Sequence, residues 1–375
     1  MEKQLSSLDL YFLVKELRQL QGSKVDKVYQ IGHDDFYLSF YTPGSGKSLL
    51  YISLPGMIMR TKRRFASGEE PPAFCVFLRK HLAGTTLQSV VQEGSERILT
   101  FVFEGKKGVR SLHVELFAKG NVVLTKEGDI IMGSLLSKRW SQREIRGGVK
   151  YELPASRDNP FTLPEKDFVR LLEDSGKDSL VKAIVLTMGT GSTYGEELCL
   201  RAGIVKDTPL TKLKTGDYAK VYAAFHGLLK DRTKPRAVFR EGVLIDITPV
   251  KFKLYADLEE KLYPDFLTAL AEHLSTVKAD ERLVQMNKEK DKVLAKMRKV
   301  IDLQQDNVGR LTANITENEK KARFIYEHYA EINQILEQTR KAVRELDPKA
   351  IKKKLKGHRI LKDINQKDKT VTVEL

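Results

Sequence analysis

Met188-Gly-Thr-Gly-Ser-Thr-Tyr-Gly-Glu-Glu-Leu-Cys-Leu-Arg-Ala-Gly-Ile204 joins a glycine-rich turn to a short amphipathic helix. Gly189 and Gly191 allow positive φ and close approach of a phosphate, and the helix that follows offers backbone N–H donors and a favourable dipole at its start. Ser192 or Thr193 is the expected N-cap, and Thr193 with Glu196 has capping-box spacing. Leu198, Ala202 and Gly203 complete the helix and its stop. A preceding helix over about 178–188 carries Leu180, Ile184, Val185 and Met188 on one face. Two helices joined through such a turn read as half of a nucleic-acid-binding helix pair; a plain packing corner is the alternative.

Toward the amino terminus the periodicity changes. Residues 8–22 place Leu10, Leu13, Val14, Leu17 and Leu20 on one helical face and stop at Gly22. Strand-like runs follow at 24–30, 36–41, 49–54, 87–91, 98–103, 111–117, 121–125 and 130–132, several separated by glycine-containing turns. They are interrupted by a helix over 72–82 that starts at Pro72 and buries Phe74, Phe77, Leu78 and Leu82. This predicts an α+β domain over residues 1–155, built on a mixed sheet. The stretch Pro154 to Pro164 is the boundary, and a helical domain occupies 165–250.

Toward the carboxyl terminus one long helix dominates an arm over 255–375. Between Pro264 and Pro348 there is no proline and only Gly309 as a glycine, so such a helix would exceed roughly 100 Å. Val293, Met297 and Val300 follow heptad steps, and Val308, Leu311, Ile315, Ala322, Ile325, Tyr329, Ile332, Leu336 and Val343 resume them after a stutter. That stripe needs a partner helix, from the same chain or from a second copy. Beyond Pro348, Lys352, Lys353, Lys354 and Lys356 form a basic cluster, and Thr370 to Leu375 alternates like a strand.

Composition sets independent limits. The 375 residues are 41% hydrophobic, enough for packed cores in two or three domains. A net charge of +15 and a pI near 9.5 call for a polyanionic partner. No apolar run approaches a membrane span, the start MEKQLSSLDL has no signal-peptide core, and Cys75 and Cys199 are the only cysteines. A cytoplasmic protein with no membrane partner is expected.

The helix pair resembles the helix–two-turn–helix module of formamidopyrimidine-DNA glycosylases and its counterpart in the NFACT family. Those glycosylases attack through an N-terminal proline and carry a four-cysteine zinc finger, whereas Glu2 follows Met1 here and two cysteines cannot supply that metal site. The NFACT resemblance extends to Ser7-Leu-Asp-Leu10, Leu17 to Gly22, Lys24 to Gln30, Pro71 to Leu82, Ser95-Glu-Arg-Ile98, Glu115 to Leu124 and Arg146 to Pro154. It implies an amino-terminal domain similar to the glycosylase amino-terminal fold, then the helical module and a first coiled-coil arm. A returning arm and an NFACT-R domain would follow in such a protein. It further implies a ribosome-associated quality-control factor without catalytic residues or cofactor. Such a factor binds obstructed large subunits and their rRNA and recruits tRNA, alanyl-tRNA in particular, for mRNA-independent tailing of stalled chains.

Candidate residues follow from both lines. The resemblance places Glu96 and Arg97 where the family has an Asp-Arg pair implicated in tRNA engagement; a surface ion pair is the plain alternative. Arg79 and Lys80 fall away from the Phe74/Leu78 face and suit phosphate binding, or a solvated helix end. The turn Lys119-Gly120-Asn121 signals a hairpin, and the resemblance keeps Glu115, Lys119 and Asn121 as tRNA-facing candidates. Gly189, Gly191, Ser192, Arg139 and Lys352 to Lys354 are candidates for nucleic-acid or ribosome contact. Lys138, Arg139, Arg143, Arg146 and Lys150 surround Trp140, a half-buried anchor or a stacking platform.

Other chemistry is not signalled. Pro43-Gly-Ser-Gly-Lys-Ser48 resembles a phosphate loop but has Tyr41 where the Walker pattern needs glycine, and a strand follows it. The seven histidines show no metal spacing. A DNA-binding, glycosylase-like repair protein lacking the catalytic proline remains the main alternative, with a surface adhesin and a coiled-coil dimeriser behind it.

Overall fold

The computed structural model describes residues 4–61, 70–141, 143–154, 158–345, 361–365 and 370–374. Two compact units divide the chain, Met1–Arg282 and Leu283–Leu375.

The first unit opens with α1 (Ser7–Leu17), then β1 (Lys24–Ile31), β2 (Asp35–Thr42), β3 (Gly46–Ser53), β4 (Met57–Thr61), α2 (Ala73–Leu82), β5 (Thr86–Gln92), β6 (Ile98–Gly105), β7 (Gly108–Glu115), β8 (Asn121–Lys126) and β9 (Ile130–Ser134). These nine strands form one sheet in the order β4-β3-β2-β1-β5-β6-β7-β8-β9. Every pairing in it is antiparallel, where a mixed sheet was expected. The reason is connectivity: short turns join most successive strands, and tight hairpins permit only antiparallel neighbours. A small hairpin, β10 (Lys138–Arg139) with β11 (Glu144–Ile145), completes this region.

Four helices follow: α3 (Glu165–Glu173), α4 (Leu180–Met188), α5 (Ser192–Ala202) and α6 (Thr215–Lys230). The helical region ends earlier than 250. Residues beyond α6 build a three-stranded antiparallel sheet, β13-β12-β14, from β12 (Arg236–Arg240), β13 (Val243–Thr248) and β14 (Glu259–Leu262). Glu241 and Gly242 both take positive φ between β12 and β13, the signature of a two-residue type I′ turn.

Helix α1 belongs to both cores. Leu10, Leu13, Val14 and Leu17 pack with the nine-stranded sheet, while Leu8 and Phe12 pack with α3 to α6. Glu16 on the same helix is buried, and its carboxylate accepts from the backbone N–H groups of Phe266 and Leu267 at 2.7 and 3.0 Å. It thus serves the start of α7 (Phe266–Glu327), whose first four amides have no helical acceptor.

In the second unit the helix continues to Glu327 and, after a break at His328, resumes as α8 (Tyr329–Glu345). Val293, Met297, Val300, Val308, Leu311, Ile315, Ile325, Tyr329, Leu336 and Val343 are all exposed. A two-stranded hairpin, β15 (Leu361–Asn365) with β16 (Thr370–Val373), forms where the sequence alternates. Lys352, Lys353 and Lys354 lie outside the described residues. No helix among the described residues is long and apolar enough to cross a membrane.

Candidate functional site

Residues 93–97 form the turn that leads into β6. The Glu96 N–H donates to the Glu93 carbonyl at 2.9 Å, and the Arg97 carbonyl accepts from the Leu116 N–H at 2.7 Å. The Gln92 amide donates to the carbonyls of Glu96 and Ser7, both at 3.0 Å, and the Ser7 hydroxyl donates to the Ser95 carbonyl. Backbone around Glu96 and Arg97 is therefore fixed from α1 through Ser7, from β5 through Gln92 and from the residue after β7, Leu116. The α1 terminus is itself closed by a capping box: the Asp9 N–H donates to Ser6 Oγ at 3.1 Å and the Ser6 N–H to the Asp9 carboxylate at 2.9 Å.

The glycine turn arrives at the same place from 90 residues away in sequence. Gly189 sits at φ 64° as the left-handed C-cap of α4, and Gly191 at φ 82° is the N-cap of α5. The capping box expected from Thr193 and Glu196 does not form: Ser192 is already helical and exposed, and Glu196 pairs with Lys206 at 3.1 Å. With glycine at the cap, the N-cap residue supplies no side-chain acceptor to the first-turn N–H groups of α5. Those donors stay available to an anion.

One cavity of about 450 Å³ is lined by Ser95, Glu96, Arg97, Phe117, Pro154, Thr187, Met188 and Gly189. It brings together the Glu96-Arg97 pair, the turn after β7 and the glycine turn. The surface ion pair expected as the plain explanation is not made: among the described residues, neither Glu96 nor Arg97 has a side-chain salt bridge or hydrogen bond. Arg97 is half-buried, and burial lowers its guanidinium pKa while the Glu96 carboxylate pulls it back up. It remains a cation, with its donors unspent on any described residue.

The other candidates divide by partner. Arg79 does not turn away from the sheet: its Nε donates to the Val28 carbonyl at 2.6 Å, so the guanidinium ties α2 to β1. Lys80 is exposed. Glu115 is buried; its carboxylate accepts from Arg143 and, at 3.0 Å, from the Tyr151 hydroxyl. Asn121 opposes it across the β7–β8 hairpin and pins Leu136 through both amide atoms, accepting from its N–H at 2.9 Å and donating to its carbonyl at 3.0 Å. Both thus hold the hairpin that presents Lys119, which is exposed two residues from the cavity-lining Phe117. Arg139 is exposed beside Trp140, which is 40% exposed and has Lys138 Nζ 5.0 Å from its ring centre.

Asp9 and Tyr194 were not singled out in the sequence, yet they join these parts: the buried Tyr194 hydroxyl donates to Asp9 at 2.9 Å. The signal available was Asp9 in the third helical position after Ser6, a capping-box pattern. Neither thiol is poised for chemistry. Cys75 and Cys199 are buried in separate clusters or elements, and burial pushes Cys199 up to about 12 and raises Cys75 as well.

Residues 6–374 match the family model described as NFACT N-terminal and middle domains. The archaeal Rqc2 homolog aRqcH of Methanocaldococcus jannaschii is 26% identical over 400 residues, covering 100% of this chain and 58% of the relative. The Rqc2 homolog RqcH of Bacillus subtilis is 29% identical over 227 residues, 56% of this chain and 40% of the relative. This chain therefore spans little more than half of the longer-matched relative's length. Among solved structures, the fibrinogen binding protein from Staphylococcus aureus shares the fold with a TM-score of 0.58 at 19% identity, covering 71% of this chain and 97% of that one. The N-terminal part of the fibronectin/fibrinogen-binding protein from Streptococcus suis does so at 0.57 and 20%, covering 72% and 99%.

Proposed function

Because the chain belongs to the NFACT family, matched across its N-terminal and middle domains, we propose that it is a ribosome-associated quality-control factor that binds obstructed large ribosomal subunits and brings tRNA to them. Relatives that carry the words ribosome quality control or Rqc2 in their names support that assignment. The observation that carries the tRNA part is the convergence of Glu96, Arg97 and the Gly189 turn on one cavity. A half-buried guanidinium without a hydrogen-bond or ion-pair partner among the described residues is suited to charge-assisted hydrogen bonds with phosphate or base acceptors. Glu96 offers an acceptor for a hydroxyl or amino group beside it.

In this reading the tRNA is alanyl-tRNA, and the ribosome's own centre makes the peptide bonds that extend the stalled chain. The protein positions its cargo and needs no cofactor. Ser192 and the uncovered amides of α5 receive a phosphate; Lys119, Lys80 and Arg139 add screened surface charge around it. Lys352, Lys353 and Lys354 would meet rRNA, and the exposed heptad stripe of α7 and α8 would pair with another helix. The setting is the cytoplasm.

The test is to purify the protein with its bound RNA at low and moderate salt and sequence what is retained. Enrichment of one tRNA isoacceptor with large-subunit rRNA is the expected result. Retention of neither, with strand cleavage of lesion-containing DNA, would replace this reading by the glycosylase-like one.

A further inference from the structure

A second, larger depression of about 870 Å³ lies at the other end of α5, between α6 and the three-stranded sheet. Its lining holds six cations, Arg201, Arg232, Lys234, Arg236, Lys251 and Lys253, against two acids, Asp231 and Glu260. The two acids are committed to two of the cations. Arg201 bonds Asp231 at 2.6 Å, the buried Glu197 at 2.6 Å and the Lys251 carbonyl at 2.7 Å. Arg236, itself buried, bonds Glu260 at 2.6 Å and the Lys234 carbonyl at 3.2 Å. The two floor cations are thus fully spent on Asp231, Glu197 and Glu260, and the free cations stand on the rim. Arg232, Lys234, Lys251 and Lys253 are exposed and have no side-chain partner among the described residues.

The rim is also built to stay in place. Its cations come from two segments, 232–234 and 251–253, clamped together by the Lys234 N–H donating to the Pro249 carbonyl at 2.9 Å. Glu197 fixes the second segment by accepting from the N–H groups of Lys253 and Leu254 at 3.0 and 2.9 Å. Phe252, between the two lysines, is buried in the helical core. Four like charges around one depression repel one another, and an arrangement of that kind is relieved by a polyanion.

We propose that this groove binds the phosphate backbone of folded RNA, as a second contact separate from the Glu96-Arg97 cavity. The inference rests on the RNA-binding reading above and deepens it. Shape selects the partner: a phosphodiester backbone is a ridge that can lie in the groove between the free cations of segments 232–234 and 251–253, whereas a flat anionic membrane meets only the outermost of them. The position fits one extended ligand, since Ser192 and Arg201 stand about 13 Å apart along α5. A strand seated on the helix start can therefore continue into the groove.

The experiment compares the full chain with the variant Arg232→Gln, Lys234→Gln, Lys251→Gln, Lys253→Gln. Both are titrated with a fluorescent alanine tRNA transcript and with purified large ribosomal subunits between 50 and 300 mM KCl, conditions spanning roughly the range where counterion release is steep. The expected result is at least a tenfold weaker affinity at 100 mM salt for one of these RNAs, about what losing several phosphate contacts implies, and a log–log salt slope shallower by about 2 to 3. An Arg-for-Lys exchange at 234, 251 and 253 should retain binding, which separates charge from misfolding, and thermal melts should coincide. Wild-type affinity and slope for both RNAs in the neutralised variant would overturn the proposal. So would an effect confined to poly-glutamate or to phosphatidylserine vesicles. If Arg97→Ala weakens tRNA binding while the groove variant does not, only the groove is lost; if the unaltered chain binds neither RNA, the underlying reading falls with it.

Discussion

Tyr194 donates its hydroxyl to the carboxylate of Asp9 at 2.9 Å, across 185 residues of sequence, and both side chains are buried. The bond ties α5 of the helical region to the capping box of α1. Burial and the Asp9 charge hold the phenol far above its ordinary pKa, so it stays a donor throughout the physiological range. Tyr194→Phe keeps the ring edge-on to Phe252, 4.9 Å between centres, and removes only the hydroxyl. The expected loss is about 1.5–3 kcal/mol, the range for a hydrogen bond to a charged group. Urea unfolding reads it directly, and an unchanged midpoint would mean the bond adds nothing to stability.

Gly195 shows the opposite kind of dependence, on an atom that is missing. A Cβ built there would stand 2.6 Å from Val185 Cγ2 and 3.3 Å from Val181 Cγ2, on the α4 face that α5 crosses. In an isolated helix Gly→Ala would favour folding by about 1 kcal/mol. Here the overlap should outweigh that gain, for a net cost of about 1–3 kcal/mol. Val185→Ala in the Gly195→Ala background should recover part of it. A Gly195→Ala protein more stable than the parent would disprove the close crossing.

Acid should weaken the nine-stranded sheet through His113. Its ring is buried, bonded to the hydroxyls of Thr100 and Thr125 at 2.9 and 3.1 Å and stacked 4.0 Å from Tyr151. Burial first, and the Arg143 charge second, push its pKa down to about 4. The unfolded chain takes up this proton near pH 6.5, where the folded chain refuses it. Stability tied to His113 is therefore whole above about pH 6.5 and falls as pH drops toward 4, by roughly 3 kcal/mol in all. His113→Gln should flatten that part of the pH profile in chemical denaturation. A profile as steep as the parent's would assign the acid sensitivity elsewhere.

The parts legible in the sequence are those whose signal is local. Alternating residues and glycine turns marked eight of the nine strands of the large sheet, and Gly22, Gly84 and Gly203 marked the helix stops. The β12–β13 hairpin escaped because Glu241-Gly242 is a poor sequence advertisement for a type I′ turn, although the backbone adopts one. Arg79 departs from its helical-wheel direction because a wheel gives direction but not reach; its long side chain doubles back to the Val28 carbonyl. Local patterns also could not show that residues 95–97 and 187–189 line the same cavity, since that depends on α1 serving two cores at once.

Arg97 separates function from stability more sharply than any other position. Its guanidinium is half-buried and has no hydrogen-bonded or ion-pair partner among the described residues. Desolvating a charge that the Glu96 carboxylate offsets only in part works against folding, so Arg97→Ala should leave stability unchanged within about 0.5 kcal/mol or raise it slightly. A structural arginine behaves otherwise: removing Arg143, whose partner Glu115 is buried, should cost about 3–5 kcal/mol by stranding that carboxylate. Against alanine tRNA at fixed salt, Arg97→Ala should weaken binding about tenfold or more, as loss of a charge-assisted contact of about 1.5–3 kcal/mol requires. Arg97→Lys should recover only part of that, because an ammonium keeps the charge but not the planar fork. Should Arg97→Ala instead melt the fold while tRNA affinity per folded molecule holds steady, the residue is a structural one and the cavity it lines is not where tRNA is gripped.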